Sequence, residues 1–418
     1  MTSFRAIGGL VTVTCVSIVF TLLALFGANE LAAIYLRKHP ELLQTHADRI
    51  NENTRGIRET MITPERAIAW YDLKSPDEVK PMWDEAYRAG AIFESYVHFG
   101  PRPLAGKYYG VTEHGYRLVK DAGPWPLSGE FVNVFFFGGS TSFGVGPYWA
   151  TVASYLQEEL NSNTGKRPVR VYNFGRSGWF STQERILFQN LLQSGHRPDI
   201  VVFLDGLNDF CFHDGQPSGW QSLAEFFNVT NERYQREAAG YGVVTKWSSL
   251  VEFVRTSPLM RLTYSAADRA FGDPLPKYVS QPAAPMDTPE SPATLQRVMD
   301  GYVSNMRQVK AVAESFGIAP LFIWQPIPTY QYDLRNHVFN PDRLGCHINS
   351  KVGYPLMRGN AALRALGRSF LWAADMQQDV AEPLYVDAFH YTAPMSRRVA
   401  RFIALAMRER QMIGSSSQ

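Results

Sequence analysis

The 418-residue chain has no dense block of lysine or arginine, and 41 basic against 39 acidic residues leave a net charge of only +2. A nucleic-acid surface needs a basic stripe to neutralise phosphates, so that class of partner has no electrostatic footprint here. Cysteine is scarce: Cys15, Cys211 and Cys346 are the three. They have neither metal-ligand spacing nor the pattern of a disulfide framework. Cys211 and Cys346 can pair in an oxidising compartment or persist as buried thiols, and the sequence leaves both open. His337 and His347 lack a partner at metal-ligand spacing, so neither metal nor cofactor is expected. Internal repeats are also missing, which excludes a solenoid. What is present is a globular composition, 45% hydrophobic and 19% charged, long enough for one large domain with additions or for two ordinary domains.

Charge is absent again from Ala6 to Ala28, a run of 23 residues that includes Val16, Phe20, Leu23 and Phe26. A membrane-spanning helix needs about 20 such residues, and a signal-peptide core is only about 7–15 long. The length favours an uncleaved single-pass anchor over residues 1–28, with a cleaved signal as the alternative. Arg5 lies on one side and Arg37 and Lys38 on the other, so the positive-inside rule does not set orientation. The bulk of the chain is expected outside the cytoplasm, in the periplasm if the source is bacterial.

Residues 29–130 read as a stem, charged at first and then rich in aromatics and turns. From Phe131 the pattern becomes strand–helix alternation. Strands are expected at Phe131–Phe137, Val169–Tyr172, Ile200–Leu204 and Leu321–Trp324. Helices are expected near Trp149–Leu160, Thr182–Gln193, Thr294–Phe316 and Met395–Arg408. Short, continuously apolar strands between amphipathic helices imply a parallel sheet covered on both faces, an α/β fold. Residues 210–292 break the rhythm and read as an insertion, of the kind used for lids or substrate-binding subdomains. The domain is expected to span 131–410, with a tail at 411–418. Asn228-Val229-Thr230 fits a glycosylation acceptor.

Open parallel sheets place functional groups at the carboxyl ends of their strands. Gly138-Gly139-Ser140-Thr141-Ser142 follows the first strand, Asn173 to Gly178 the second, and Asp205-Gly206-Leu207-Asn208-Asp209 the third. Asp387-Ala388-Phe389-His390 precedes the last helix. Together these suit acyl transfer. Ser140, at a strand-to-helix turn, would be the nucleophile, His390 its base, and Asp387 the group holding the imidazole. The amides of Ser140 and Gly178 and the side chain of Asn208 would donate to the oxyanion. Ser142 is a rival nucleophile. A phosphate-cradling reading of the Gly-rich turn lacks the P-loop lysine and leaves Asp387 and His390 unexplained. His114, beside a turn glycine, reads as a surface or hydrogen-bonding residue, Cys211 carries no mark of activation, and His213, shortly after Asn208, reads either as a pocket-lining or as a structural residue.

These four segments, in this order, resemble the signature blocks of the SGNH/GDSL hydrolase superfamily. Ser140 matches the serine of the first block, Gly178 the glycine of the second, Asn208 the asparagine of Gly-x-Asn-Asp, and Asp387 and His390 the Asp-x-x-His block. The resemblance covers about Phe131 to Arg408 and departs in one place: Gly139 stands where the Gly-Asp-Ser signature has aspartate. It implies a three-layer α/β/α, flavodoxin-like domain and an esterase or deacylase acting on a small-molecule or glycan ester, O-acetyl included. Transfer of the acyl group to a carbohydrate would use the same triad. A non-catalytic binding module on the same scaffold is the third alternative.

Overall fold

The computed structural model describes residues 2–39, 62–88, 90–162, 167–211, 257–260, 262–263, 289–338 and 347–413. The chain divides into two compact units, residues 1–58 with 224–281 and residues 59–223 with 282–418.

In the first unit, helix α1 runs from Thr2 to Lys38. Its stretch Val19–Lys38 is long and apolar enough to cross a membrane, with a mean hydropathy of 1.7. Phe20 and Phe26 on it are 68% and 65% exposed. Apolar side chains this exposed are not those of a packed core helix.

The second unit is built on a parallel sheet. Apolar runs form β5 (Val132–Gly138), β6 (Val169–Asn173), β7 (Ile200–Asp205), β8 (Ala319–Trp324) and β9 (Phe370–Trp372). Their order, β6-β5-β7-β8-β9, has the first of the five strands second from one edge, which is the flavodoxin-like arrangement. The alternation of strand side chains sorts the core into two layers. Phe135, Phe137, Phe203 and Trp324 face one way, and Val134, Phe136, Val202 and Ile323 face the other. The first layer is covered by α6 (Ser181–Gln193) and α8 (Pro292–Ser315), and the second by α5 (Val152–Asn161) and α10 (Ala393–Glu409). The α/β expectation holds, and the strand and helix limits shift by a few residues at most.

Residues 62–130 differ from a stem. They carry α2 (Pro64–Tyr71), α3 (Val79–Arg88) and the short strands β1 (Ala91–Glu94), β2 (His98–Pro101), β3 (Leu104–Ala105) and β4 (Gly110–Val111). Arg117 forms an antiparallel bridge to Asn173 at the free edge of β6, its amide donating to the Asn173 carbonyl at 2.8 Å. Such cover protects an otherwise unpaired edge. Val97 and Tyr116 are buried in the same core as Phe135. Aromatic and small residues scattered among turns gave no periodicity from which this packing could be read.

Of the insertion read at 210–292, all but 210–211, 257–260, 262–263 and 289–292 lies outside the described residues, as do His213 and Asn228. Three further helices bear on the site: α4 (Ser140–Phe143), α7 (Leu207–Cys211) and α9 (Ile348–Arg358).

Candidate active site

β5 ends in Gly138 at φ +145°, a conformation that only glycine adopts easily, and the chain turns through Gly139 into the single turn α4. Ser140 is its first residue and is partly exposed, whereas Ser142 is fully buried. The turn is held from several sides. Arg176 N donates to Gly138 O at 2.9 Å. Asn173 Nδ2 donates to Ser142 O at 2.9 Å. Thr141 Oγ1 donates to Gln325 Oε1 at 2.6 Å, and the Tyr391 hydroxyl reaches the same oxygen at 3.1 Å.

Arg117 is fully buried, and its guanidinium donates to the carbonyls of Phe143, Gly144 and Gly146. It also lies over the rings of Tyr109 and Phe143, at 3.9 and 4.7 Å. Burial pulls its pKa down, although a guanidinium stays protonated in proteins. Sequence reasoning missed Arg117, Asn173 and Gln325. Asn173 and Gln325 could have been suspected, because both stand at carboxyl ends of strands where polar residues are out of place in a core.

Asp387 and His390 sit in a tight turn closed by Val386 N to His390 O at 2.8 Å. Both carboxylate oxygens of Asp387 lie 2.8 Å from His390 Nδ1. One of them also accepts the amides of Phe389 and His390, at 3.0 and 2.9 Å. A carboxylate so placed keeps the proton on Nδ1 and leaves Nε2 free as an acceptor. Ser140 and His390 line one cavity of about 10 Å³ with Trp70, Tyr71, Tyr391 and Ser396. No hydrogen bond joins Ser140 to His390 among the described residues; in ligand-free sites such bonds are often long.

Gly178 and Asn208, the residues expected as outer donors, lie close to one another. Gly178 has φ +75°. Asn208, 8% exposed, spends one amide hydrogen on Trp179 O at 2.7 Å, and its amide carries a second. Gly139 packs flat against this amide, and a Cβ there would overlap Asn208 Nδ2. The aspartate of the Gly-Asp-Ser signature would have to displace this amide. Asp209 caps the start of α6, accepting from Ser181 Oγ at 2.5 Å and Ser181 N at 3.4 Å. Burial beside it raises the carboxyls of Glu184 and Asp205, the latter to about 8.

His114 stacks on Trp125 at 5.2 Å, and His337 on Tyr385 at 5.7 Å. His347 packs on Phe389 with ring centroids 3.9 Å apart, and burial holds its pKa down to about 3. Among the described residues no group of His, Cys, Asp or Glu is arranged to hold a metal. Cys211, at the end of α7, is disulfide-bonded, which removes the free-thiol alternative for it; Cys346 lies outside the described residues.

Residues 136–337 match the GDSL-like lipase/acylhydrolase family. This chain carries a GDSL-like hydrolase domain. It is an enzyme of the serine ester hydrolase class. No curated protein matches it. Solved structures similar to the GDSL-like domain include an acetylxylan esterase from Geobacillus stearothermophilus, 14% identical over 68% of this chain and 97% of that one, with a TM-score of 0.33. A lipase/acylhydrolase from Enterococcus faecalis is 12% identical over 66% and 96%, with a TM-score of 0.34. Likeness at this level says nothing of substrate.

Proposed function

We propose that the protein is a membrane-anchored esterase or deacylase in which Ser140 attacks the ester carbonyl and His390, oriented by Asp387, moves the proton. The observation that carries this reading is the Asp387–His390 pair, with both carboxylate oxygens 2.8 Å from Nδ1, opening on the cavity that Ser140 also lines. Attack forms the Oγ–carbon bond as the Ser140 proton passes to His390 Nε2. The carbon–oxygen bond to the alcohol breaks as that proton passes to the leaving oxygen. Water then repeats both steps and releases the acid. The amides of Ser140 and Gly178 and the second hydrogen of Asn208 Nδ2 stabilise the oxyanion.

Hydrolysis is the reading put first, and transfer of the acyl group to a carbohydrate hydroxyl is the alternative that uses the same residues. Helix α1 supports anchoring, and the disulfide at Cys211 supports an oxidising compartment outside the cytoplasm. The O-acetyl group is one acyl class such a site can take.

A serine-directed fluorophosphonate tests the assignment. It is expected to label the wild type and not Ser140→Ala. Labelling that persists in the variant would remove Ser140 from the role. Release of free acid is expected to exceed transfer to a glycan acceptor, and the reverse would make the enzyme an acyltransferase.

A further inference from the structure

We infer that the cleft across the Gly144–Val145 turn from His390 binds the acyl chain of the substrate, and that this chain is uncharged and longer than acetyl. This deepens the esterase reading above and rests on it.

The cleft has a volume of about 200 Å³. It shares Gly144 and Val145 with the small cavity that Ser140 and His390 line, so the two adjoin. The four substituents of the tetrahedral carbon assign its occupant. One is Ser140 Oγ. The oxyanion faces the donors of Gly178 and Asn208, and the leaving oxygen must face His390, which returns its proton. The acyl chain takes the direction left over, away from His390. The cleft has Ser177, the neighbour of Gly178, on its wall and has neither His390 nor Tyr391 nor Ser396.

The walls indicate the kind of chain. Phe99, Pro101, Tyr109 and Phe143 supply apolar surface. Among the described residues, Arg176 is the charged side chain that lines the cleft, and its terminal nitrogens are already engaged. Its guanidinium donates to the Gly115 carbonyl and stands 3.5 Å from the Glu94 carboxylate. Among the described lining residues no charge lacks a counter-charge, so none is set to recruit a carboxylate or phosphate on the substrate. Arg117 holds the Phe143 and Gly144 carbonyls from behind, so the floor of the cleft is fixed before substrate arrives.

The test uses the detergent-solubilised full chain and p-nitrophenyl esters of acetic, butyric and hexanoic acid, which share one leaving group. Each methylene buried in an apolar cleft is worth up to about fourfold, so kcat/KM is expected to rise at least about tenfold from acetyl to hexanoyl. Ala91 is exposed and lines the cleft from β1. Ala91→Trp fills the cleft and is expected to lower the hexanoyl-to-acetyl ratio about tenfold. Ala91→Leu serves at the same position if the bulkier variant does not fold. A flat acyl series in the wild type, or a ratio that neither filled variant changes, overturns the proposal and leaves the esterase reading standing. Loss of preference for hexyl over ethyl acetate would assign the cleft to the alcohol and overturn it as well. An enzyme that turns over none of these esters and takes no fluorophosphonate at Ser140 overturns the esterase reading itself, and the acyl cleft with it.

Discussion

Replacing Arg117 by Met keeps much of the side-chain volume and removes the guanidinium donors that hold the loop behind Ser140. The guanidinium is fully buried and donates to three carbonyls, those of Phe143, Gly144 and Gly146. Hydrogen bonds to a charged donor contribute about 1.5–3 kcal/mol each, so the gross loss is about 5–9 kcal/mol. Removing a buried cation returns part of this, because its desolvation costs several kcal/mol. The net destabilisation is therefore about 2–4 kcal/mol, readable as a fall in the urea midpoint at unchanged slope. Activity should fall further than stability explains. The loop continues directly from α4, and a displacement of about 1 Å at a nucleophile can cost on the order of 100-fold in rate. Under conditions where the variant is fully folded, kcat is expected to drop about 10–100-fold with KM little changed. Arg117→Lys, which keeps the charge but cannot fork to three acceptors, should recover only part of it. A Met variant that is less stable but has wild-type kcat would reduce Arg117 to a structural residue. One with unchanged stability would refute the clamp altogether.

Gly139→Asp writes the Gly-Asp-Ser signature into this chain, yet a side chain there meets Asn208 Nδ2. The expected outcome is a loss of kcat of about 10²–10³, the cost of displacing one oxyanion donor, and equal or higher activity would refute the steric account. Asp205 is raised to about 8, by burial first and then by the charge of Asp209. Below about pH 4 both the folded and unfolded chains hold its proton; between about 4 and 8 only the unfolded chain releases it, so stability falls as pH rises. Asp205→Asn should flatten that decline in a series of melting temperatures from pH 5 to 8, and an unchanged slope would show that the pair does not titrate as the burial implies.

The sheet was legible because its strands are buried on both faces, and apolar runs such as Val132–Phe137 and Ile200–Leu204 have no other reading at that length. The candidate site residues were legible for a related reason: each stands at a strand end or beside a turn, where glycine and polar residues interrupt an apolar pattern. What supports them was not. Arg117 reaches the loop 26–29 positions away, and Thr141 meets Gln325 across 184. Contacts of that separation leave no periodicity in a single sequence. Arg117 sits in a turn-rich stretch where an arginine reads as a solvated residue, and only the folded chain puts it at zero exposure.

The same separation bears on what distinguishes this enzyme from others with a GDSL-like domain. The matched stretch, 136–337, contains Ser140, Gly178 and Asn208 but not the segments that shape the space around them. Trp70 and Tyr71 wall the cavity at Ser140. Phe99, Pro101 and Tyr109 wall the neighbouring cleft. Arg117 fixes the loop between the two. All six residues precede the sheet, in the part of the chain that reads as a stem. Chemistry and selectivity thus have different addresses in the sequence. The strand ends can keep their residues while the preceding 62–130 varies, and substrate choice should follow the latter. A chain cut just before Phe131 would keep Ser140, Asp387 and His390, yet it would uncover the edge of β6, strip the cleft of its aromatic walls and leave three loop carbonyls without their donor.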